Sequence, residues 1–290
     1  MTSNSDQGTI KQLKKEFEQL RDGKESLLRI LEEAELPELV YNSNAIENST
    51  LTLKETEKIL LEQEVMRDVS VRELFEAKNL ARVLEYLSTR PNLDLTIENI
   101  LLLHQMLIGG INDNFAGRLR KAGEYVRVGS HIAPAPEHVE QLLESLLDSF
   151  HSAHDLYFLD NIAYFHAEFE RIHPFCDGNG RIGRVLINLQ LARFGYPPII
   201  IRNKSKRTDY YPELVKYEES GSYDGLADMF ADSLKESLHK RLAYLRGDEI
   251  IKLADYAKKN NRAVNAQLNA AKRQTIPAFR ERGVWKIGVR

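Results

Sequence analysis

Residues 173–184 read His-Pro-Phe-Cys-Asp-Gly-Asn-Gly-Arg-Ile-Gly-Arg, and no other stretch of this 290-residue chain restricts its fold as tightly. Pro174 disfavours helical geometry at the residue before it. The helical pattern Ile162, Phe165, Phe169, Ile172 is therefore predicted to stop at His173 and to present the imidazole at its end. Gly178 and Gly180 flank Asn179, a triplet able to take positive φ and gather successive backbone N–H groups into one concavity. A helix is predicted to resume at Arg181, because Ile182, Val185, Leu186 and Leu189 recur on one face. An N–H nest opening into a helix N-terminus binds anions, and phosphate suits it best. Arg181 and Arg184 lie one turn apart, placed to reach the same polyanion. Asp177 is the lone carboxylate of the cluster, the kind of group that holds magnesium against phosphate oxygens.

This stretch resembles the signature of the Fic family, His-Pro-Phe-x-(Asp/Glu)-Gly-Asn-Gly-Arg-x-x-Arg, and matches it at every fixed position. The resemblance implies a protein adenylyltransferase, which moves AMP from ATP to a Ser, Thr or Tyr hydroxyl of a target protein and releases pyrophosphate. It implies that His173 deprotonates the hydroxyl, that Phe175 anchors the loop, and that Asp177 holds Mg²⁺. By the same resemblance Gly178, Asn179 and Gly180 bind the α- and β-phosphates, and Arg181 and Arg184 the outer ones. An unperturbed imidazole titrates near about 6.5, so near neutral pH it is mostly able to accept a proton. The plain alternative is a structural loop with a capping histidine. Cys176, the only cysteine, reads as a small packed side chain rather than a nucleophile.

Ser43-Asn-Ala-Ile-Glu47-Asn48 places a hydroxyl and a carboxylate on one helical face. Alone this describes an ordinary solvated glutamate. Beside the signature it is similar to the N-terminal inhibitory motif of Fic proteins, (Ser/Thr)-x-x-x-Glu-(Gly/Asn). The resemblance implies that Glu47 pairs with Arg184, which then cannot clamp the γ-phosphate for in-line attack. Upstream, residues 10–35 read as amphipathic helix broken near Gly23, with Pro37 opening a new helix.

Between Gly117 and Pro136 the helical pattern fails. Tyr125-Val126-Arg127-Val128 alternates and is followed by Gly129-Ser130-His131-Ile132, which predicts a β-hairpin with an exposed edge. It is similar to the Fic flap, which holds a target segment by strand addition. Val128, Gly129, Ser130 and His131 would then line the nucleotide, and the 125–132 flap would dock the target. Tyr210 and Tyr211 also look like the family's paired tyrosines at the nucleoside, although two core tyrosines fit equally. His104 sits in an apolar stripe and reads as a core histidine, while His151 and His154 with Asp155 lack further ligands for a zinc site. Ile199-Ile200-Ile201 reads as strand or loop.

The net charge of −3 hides an asymmetry: residues 249–290 carry +7 and the remainder −10. So sharp a break suggests a polyanionic partner for the tail. Two short helices joined near Asn260-Asn261, then an alternating stretch turning near Gly283, resemble an excisionase-like winged helix-turn-helix. Asn265, Gln267, Asn269, Lys272 and Arg273 are its candidate groove-facing residues, with protein docking as the rival role.

Periodicity alone predicts a mainly α protein. With the resemblances the expectation is an N-terminal helical region with the inhibitory motif (1–95), a Fic catalytic core with its flap (96–246), and a basic module (247–290). The expected ligands are ATP, Mg²⁺, a protein target, and DNA through 248–290. Two alternatives stay open: a DNA-binding regulator whose Fic domain senses nucleotide, and removal of AMP at the same site. The start lacks a secretory signal's basic and apolar regions and no segment is apolar enough to span a membrane, which predicts a cytoplasmic protein. A helix–helix homodimer is compatible with this reading.

Overall fold

The computed structural model describes every residue except Met66 and Ser130. It is mainly α. Helices Asn4–Arg21 (α1) and Glu25–Ile46 (α2) lead to Leu53–Glu57 (α3), Val71–Ser88 (α4) and Ile97–Ile108 (α5). The hairpin Arg127–Val128 (β1) and His131–Ile132 (β2) follows, then Val139–Ser152 (α6), Phe158–Ile172 (α7) and Asn179–Arg193 (α8). Tyr211–Ser220 (α9) and Asp224–Arg246 (α10) precede Glu249–Lys252 (β3), Leu253–Lys259 (α11), Val264–Lys272 (α12), Ala278–Glu281 (β4) and Val284–Val289 (β5).

The chain forms two compact units, each discontinuous in sequence. The first comprises Met1, 36–196 and 200–227. Here α7 packs against α6 and α8, and α8 also meets α4 and α5. Phe165, Phe169, Ile172, Phe175, Ile182 and Leu186 are at most 1% exposed and form the floor beneath the signature loop. Several helices open on the caps their sequences supply. Thr52 and Glu55 make a reciprocal capping box at α3, and Ser70 and Thr96 cap α4 and α5.

The second unit comprises 2–35, 197–199 and 228–290. Ile10, Phe17, Leu234, Leu238 and Leu242 are buried in it. Glu35 is buried with Arg241 at 2.6 Å and Lys240 at 2.9 Å, so one carboxylate compensates two cations that burial alone would make costly. Its sheet has the order β3-β5-β4, all antiparallel, with Leu253, Ala271, Ala278 and Ile287 forming a small core under it. The β4–β5 turn runs through Arg282 at φ 50° and Gly283 at φ 75°, the tight turn that matches strand twist.

Three expectations need correction. Pro37 does not open a helix; it lies inside the continuous α2. A proline there removes one backbone hydrogen bond, a loss smaller than the burial of Leu28 and Leu31 before it and Val40 and Ile46 after it. The hairpin strands are two residues each, paired Arg127 to Ile132 and Val128 to His131, rather than a four-residue strand. The tail carries a third strand, β3, whose short run Glu249-Ile-Ile-Lys252 gave too little alternation to read. Ile199–Ile201 lies outside helix and strand, in agreement with the loop reading.

Candidate active site

The first unit builds the site from the junction of α7 and α8. Pro174 ends α7 as its sequence requires, and His173 caps it at φ 51° with its N–H still bonded to Phe169. A left-handed histidine costs roughly 1–2 kcal/mol, so the surroundings must hold it. They do so through Arg120. Its guanidinium, 3% exposed, donates to the carbonyl oxygens of His173 at 2.8 Å, Ile172 at 3.2 Å, Pro134 at 2.9 Å and Glu124 at 3.1 Å. Nothing in the sequence marked Arg120; the clue lay only in a cation next to an apolar residue before the hairpin.

The His173 ring is oriented from its own helix, with Nδ1 3.2 Å from the Glu170 carbonyl oxygen. A carbonyl only accepts, so Nδ1 carries the proton and Nε2 keeps a free lone pair. Burial pulls the imidazole pKa down to about 4. The ring is therefore neutral at pH 7 and able to take a proton.

Phe175 is fully buried and stacks on His104, centroids 3.7 Å apart, which anchors the loop. His104 is a satisfied core histidine: Nδ1 accepts from Gly117 N–H at 3.1 Å and Nε2 donates to the Asp177 carbonyl at 2.9 Å. Asn179 closes the loop reciprocally, its Oδ1 accepting from Phe175 N–H and its Nδ2 donating to Phe175 O, both at 2.8 Å. Its side chain is thus committed to structure, leaving its N–H to the nest. Gly178 takes φ 85° at the start of α8, and a β-carbon there would press on Ile108 at 2.9 Å.

Each charged residue of the signature is held by a protein partner. Arg184 donates to Ser43 Oγ at 3.0 Å, Ser43 O at 2.9 Å and Glu47 Oε1 at 2.8 Å. A β-carbon on Gly180 would collide with the Glu47 carboxylate, which therefore lies over the glycine turn. Arg181 pairs with Asp177 at 3.0 Å and Glu76 at 3.1 Å, and Arg72 bridges Asp177 at 2.5 Å and Glu76 at 2.9 Å. The two arginines of the signature are thus directed to different carboxylates. A cavity of about 330 Å³ opens beside Glu47, Asn48, Arg72, Asp177 and Gly178.

Glu170 is the residue the sequence did not reveal. The residue is partly exposed, but its carboxyl is enclosed beside Gly183, where burial pushes its pKa up to about 8 and Oε1 has no hydrogen-bond partner among the described residues. Tyr210 is 1% exposed, its hydroxyl 2.7 Å from His166 Nε2, and the Tyr211 hydroxyl donates to Ile46 O at 2.8 Å. In the hairpin, Val128 is 38% exposed and His131 Nε2 lies 3.1 Å from the Arg171 carbonyl, while Ser130 lies outside the described residues. Gly129 turns at φ 59°. Burial and Glu124 raise the Cys176 pKa, leaving a thiol rather than a thiolate.

Among the described residues no group of three His, Cys, Asp or Glu stands together in the way a closed protein metal cage needs. Magnesium needs less: one or two carboxylates and substrate phosphates. Asp177 is a carboxylate of that kind, and its partner Arg72 is 54% exposed.

Residues 94–191, which carry the hairpin and the glycine turn, match the Fic/DOC family. The chain's relatives include the protein adenylyltransferase Fic of Drosophila persimilis, 34% identical over 204 residues, covering 69% of this chain and 39% of that protein. The protein of the same description from Drosophila melanogaster is also 34% identical, over 69% of this chain and 40% of its own. The chain thus spans about two fifths of these curated relatives. A solved Fic-domain signalling protein from Bacteroides thetaiotaomicron superposes with a TM-score of 0.74 at 25% identity, covering 83% of this chain and 98% of that one. Fic-1 of C. elegans superposes at 0.68 with 27% identity, over 82% and 71% of the two chains. No helix among the described residues is long and apolar enough to cross a membrane.

Proposed function

We propose that the chain is a protein adenylyltransferase held in an inhibited state by its own Glu47. The supporting observation is a neutral His173, Nε2 unprotonated, at the mouth of a glycine turn whose phosphate-clamping Arg184 is occupied by Glu47 at 2.8 Å. The relatives' description as adenylyltransferases agrees with it.

In the active state Glu47 leaves, and the N–H groups at the start of α8 with Arg184 bind the triphosphate of ATP. The exposed hairpin edge takes a target segment as an added strand, which positions its hydroxyl. His173 Nε2 accepts the hydroxyl proton as the oxygen bonds to the α-phosphorus. The bond to the β-phosphate oxygen breaks, and pyrophosphate leaves. Asp177 would hold Mg²⁺, which supplies charge neutralisation for the phosphates. The test is transfer of radiolabelled AMP from ATP. Glu47→Gly is expected to raise it and His173→Ala to abolish it, and an unchanged rate in the Glu47 variant would exclude the inhibitory role.

A second reading concerns the tail. The order β3-α11-α12-β4-β5 with a basic β4–β5 turn resembles a winged helix-turn-helix; Asn265, Asn269 and Lys272 on α12 and Arg273 at its end are exposed, as is Arg282 at the turn. Amides and cations on an open helix face suit base edges and phosphates. Gln267 is only partly exposed, so it is the weaker candidate of the five. The full chain should bind duplex DNA with an affinity that falls steeply with salt; binding indifferent to salt would remove this reading.

A further inference from the structure

Lys206–Tyr210 winds as a π-helical turn immediately before α9. Such turns are rare and wider than an α-helix, so residues five apart, here Lys206 and Tyr211, come to lie on one side. Both side chains reach the end of α2. Lys206 Nζ donates to Ala45 O at 2.8 Å, Ile46 O at 3.0 Å and Asn48 Oδ1 at 3.0 Å, and Tyr211 OH donates to Ile46 O at 2.8 Å. The last carbonyls of a helix have no partner within it, and a cation is favoured there. The three ammonium donors are all used.

Glu47 stands between the residues so held. Its neighbours Ile46 and Asn48 are tied to Lys206, while Arg184 binds Ser43 one turn earlier. After Asn48, at φ 68°, the chain is fixed again where Thr50 N–H donates to Glu73 at 2.6 Å. Burial lowers the Lys206 pKa, a cost offset only while those oxygens stay in place. None of these contacts reaches His173, Asp177 or the glycine turn.

We propose that Lys206, assisted by Tyr211, is a positioning residue that holds Glu47 on Arg184, so that the 206–211 turn sets the strength of inhibition. This rests on the inhibitory reading of Glu47.

The test is steady-state AMP transfer by the full chain, with kcat and KM for ATP measured for wild type, Lys206→Met, Glu47→Gly and the double variant. Lys206→Met is expected to raise kcat/KM roughly tenfold or more, the scale of one charge-assisted hydrogen-bonding group. In the Glu47→Gly background the same substitution should change neither constant. Tyr211→Phe, which keeps the ring and removes one hydroxyl, should give a smaller rise of about threefold. A Lys206→Met chain at the wild-type rate would overturn the proposal. So would a raised KM for ATP in both backgrounds, which would make Lys206 a nucleotide ligand. If Glu47→Gly itself fails to raise transfer, the inhibitory reading falls first and takes the clamp with it. Loss of folding by Lys206→Met, seen as a lowered Tm, leaves the Tyr211→Phe result to decide.

Discussion

Arg120 donates to the backbone carbonyl of His173 at 2.8 Å, from a position 3% exposed to solvent. His173 is therefore held through its backbone by a residue more than fifty positions earlier, which also fixes the hairpin's return at Pro134.

Arg120→Met should be strongly destabilising, because carbonyls of Ile172, His173, Pro134 and Glu124 lose their donor together. A loss of about 3–5 kcal/mol is expected for breaking a buried charged network, read as a shifted urea midpoint. Lysine should restore only part of it, since one ammonium does not reproduce the planar fork. A midpoint unchanged in Arg120→Met would contradict the bracing role.

The pH dependence of stability should have a maximum near pH 6.5. His104, His173 and His239 sit at about 4 and His166 at about 3, all below the unfolded value near about 6.5. Between those values the unfolded chain binds more protons, so stability falls as pH drops through the window. Glu170, raised to about 8, does the opposite: it keeps a proton in the folded state that the unfolded chain has lost, so stability falls as pH rises from about 4.5 to 8. Denaturant titrations from pH 4 to 9 would show the dome. Glu170→Gln should flatten its alkaline side, and an unaltered slope in that variant would refute the assignment.

In the uninhibited Glu47→Gly background, the acid limb of AMP transfer should not lie at the ordinary imidazole value. Burial holds His173 at about 4, so the rate should stay level down to about pH 5 and fall toward 4. A midpoint near about 6.5 would show that the ring is solvated in the working enzyme.

On the proposal that Asp177 holds Mg²⁺, Asp177→Asn should raise the Mg²⁺ concentration needed for half-maximal transfer by an order of magnitude or more, since a carboxylate ligand would be lost. The same substitution removes one of the two carboxylate partners of Arg72 and Arg181, paired with it at 2.5 and 3.0 Å, and leaves both to Glu76 alone. A magnesium titration in the Glu47→Gly background separates these effects. An unshifted magnesium midpoint would place the metal elsewhere.

Much of this was legible in the chain. Pro174 stops a helix, the glycines around Asn179 permit a turn, and the apolar steps 182, 185, 186 and 189 restart a helix. These are local rules, and they placed His173 correctly. Ser43 and Glu47 were legible as a face, and the contact with Arg184 that the resemblance implied is present. By contrast Glu170 reads as one more helical glutamate, and only packing against Gly183 makes it a buried acid. The four-residue strand expected at Tyr125 is two residues long, continued only by the bond from Ala133 N–H to the Val126 carbonyl at 3.2 Å. Pro37 reads as a helix start and is overruled by burial on both of its sides.

The sequence by itself determined where the backbone must bend and which residues are candidates for the chemistry, because glycine, proline and apolar spacing act within a few positions. Only the tertiary structure decided which charges meet. Arg184 finds Glu47 rather than Asp177, Lys206 finds the end of α2, and Arg120 finds His173. Those pairings span tens to more than a hundred residues, and burial gives them the low dielectric that makes them count.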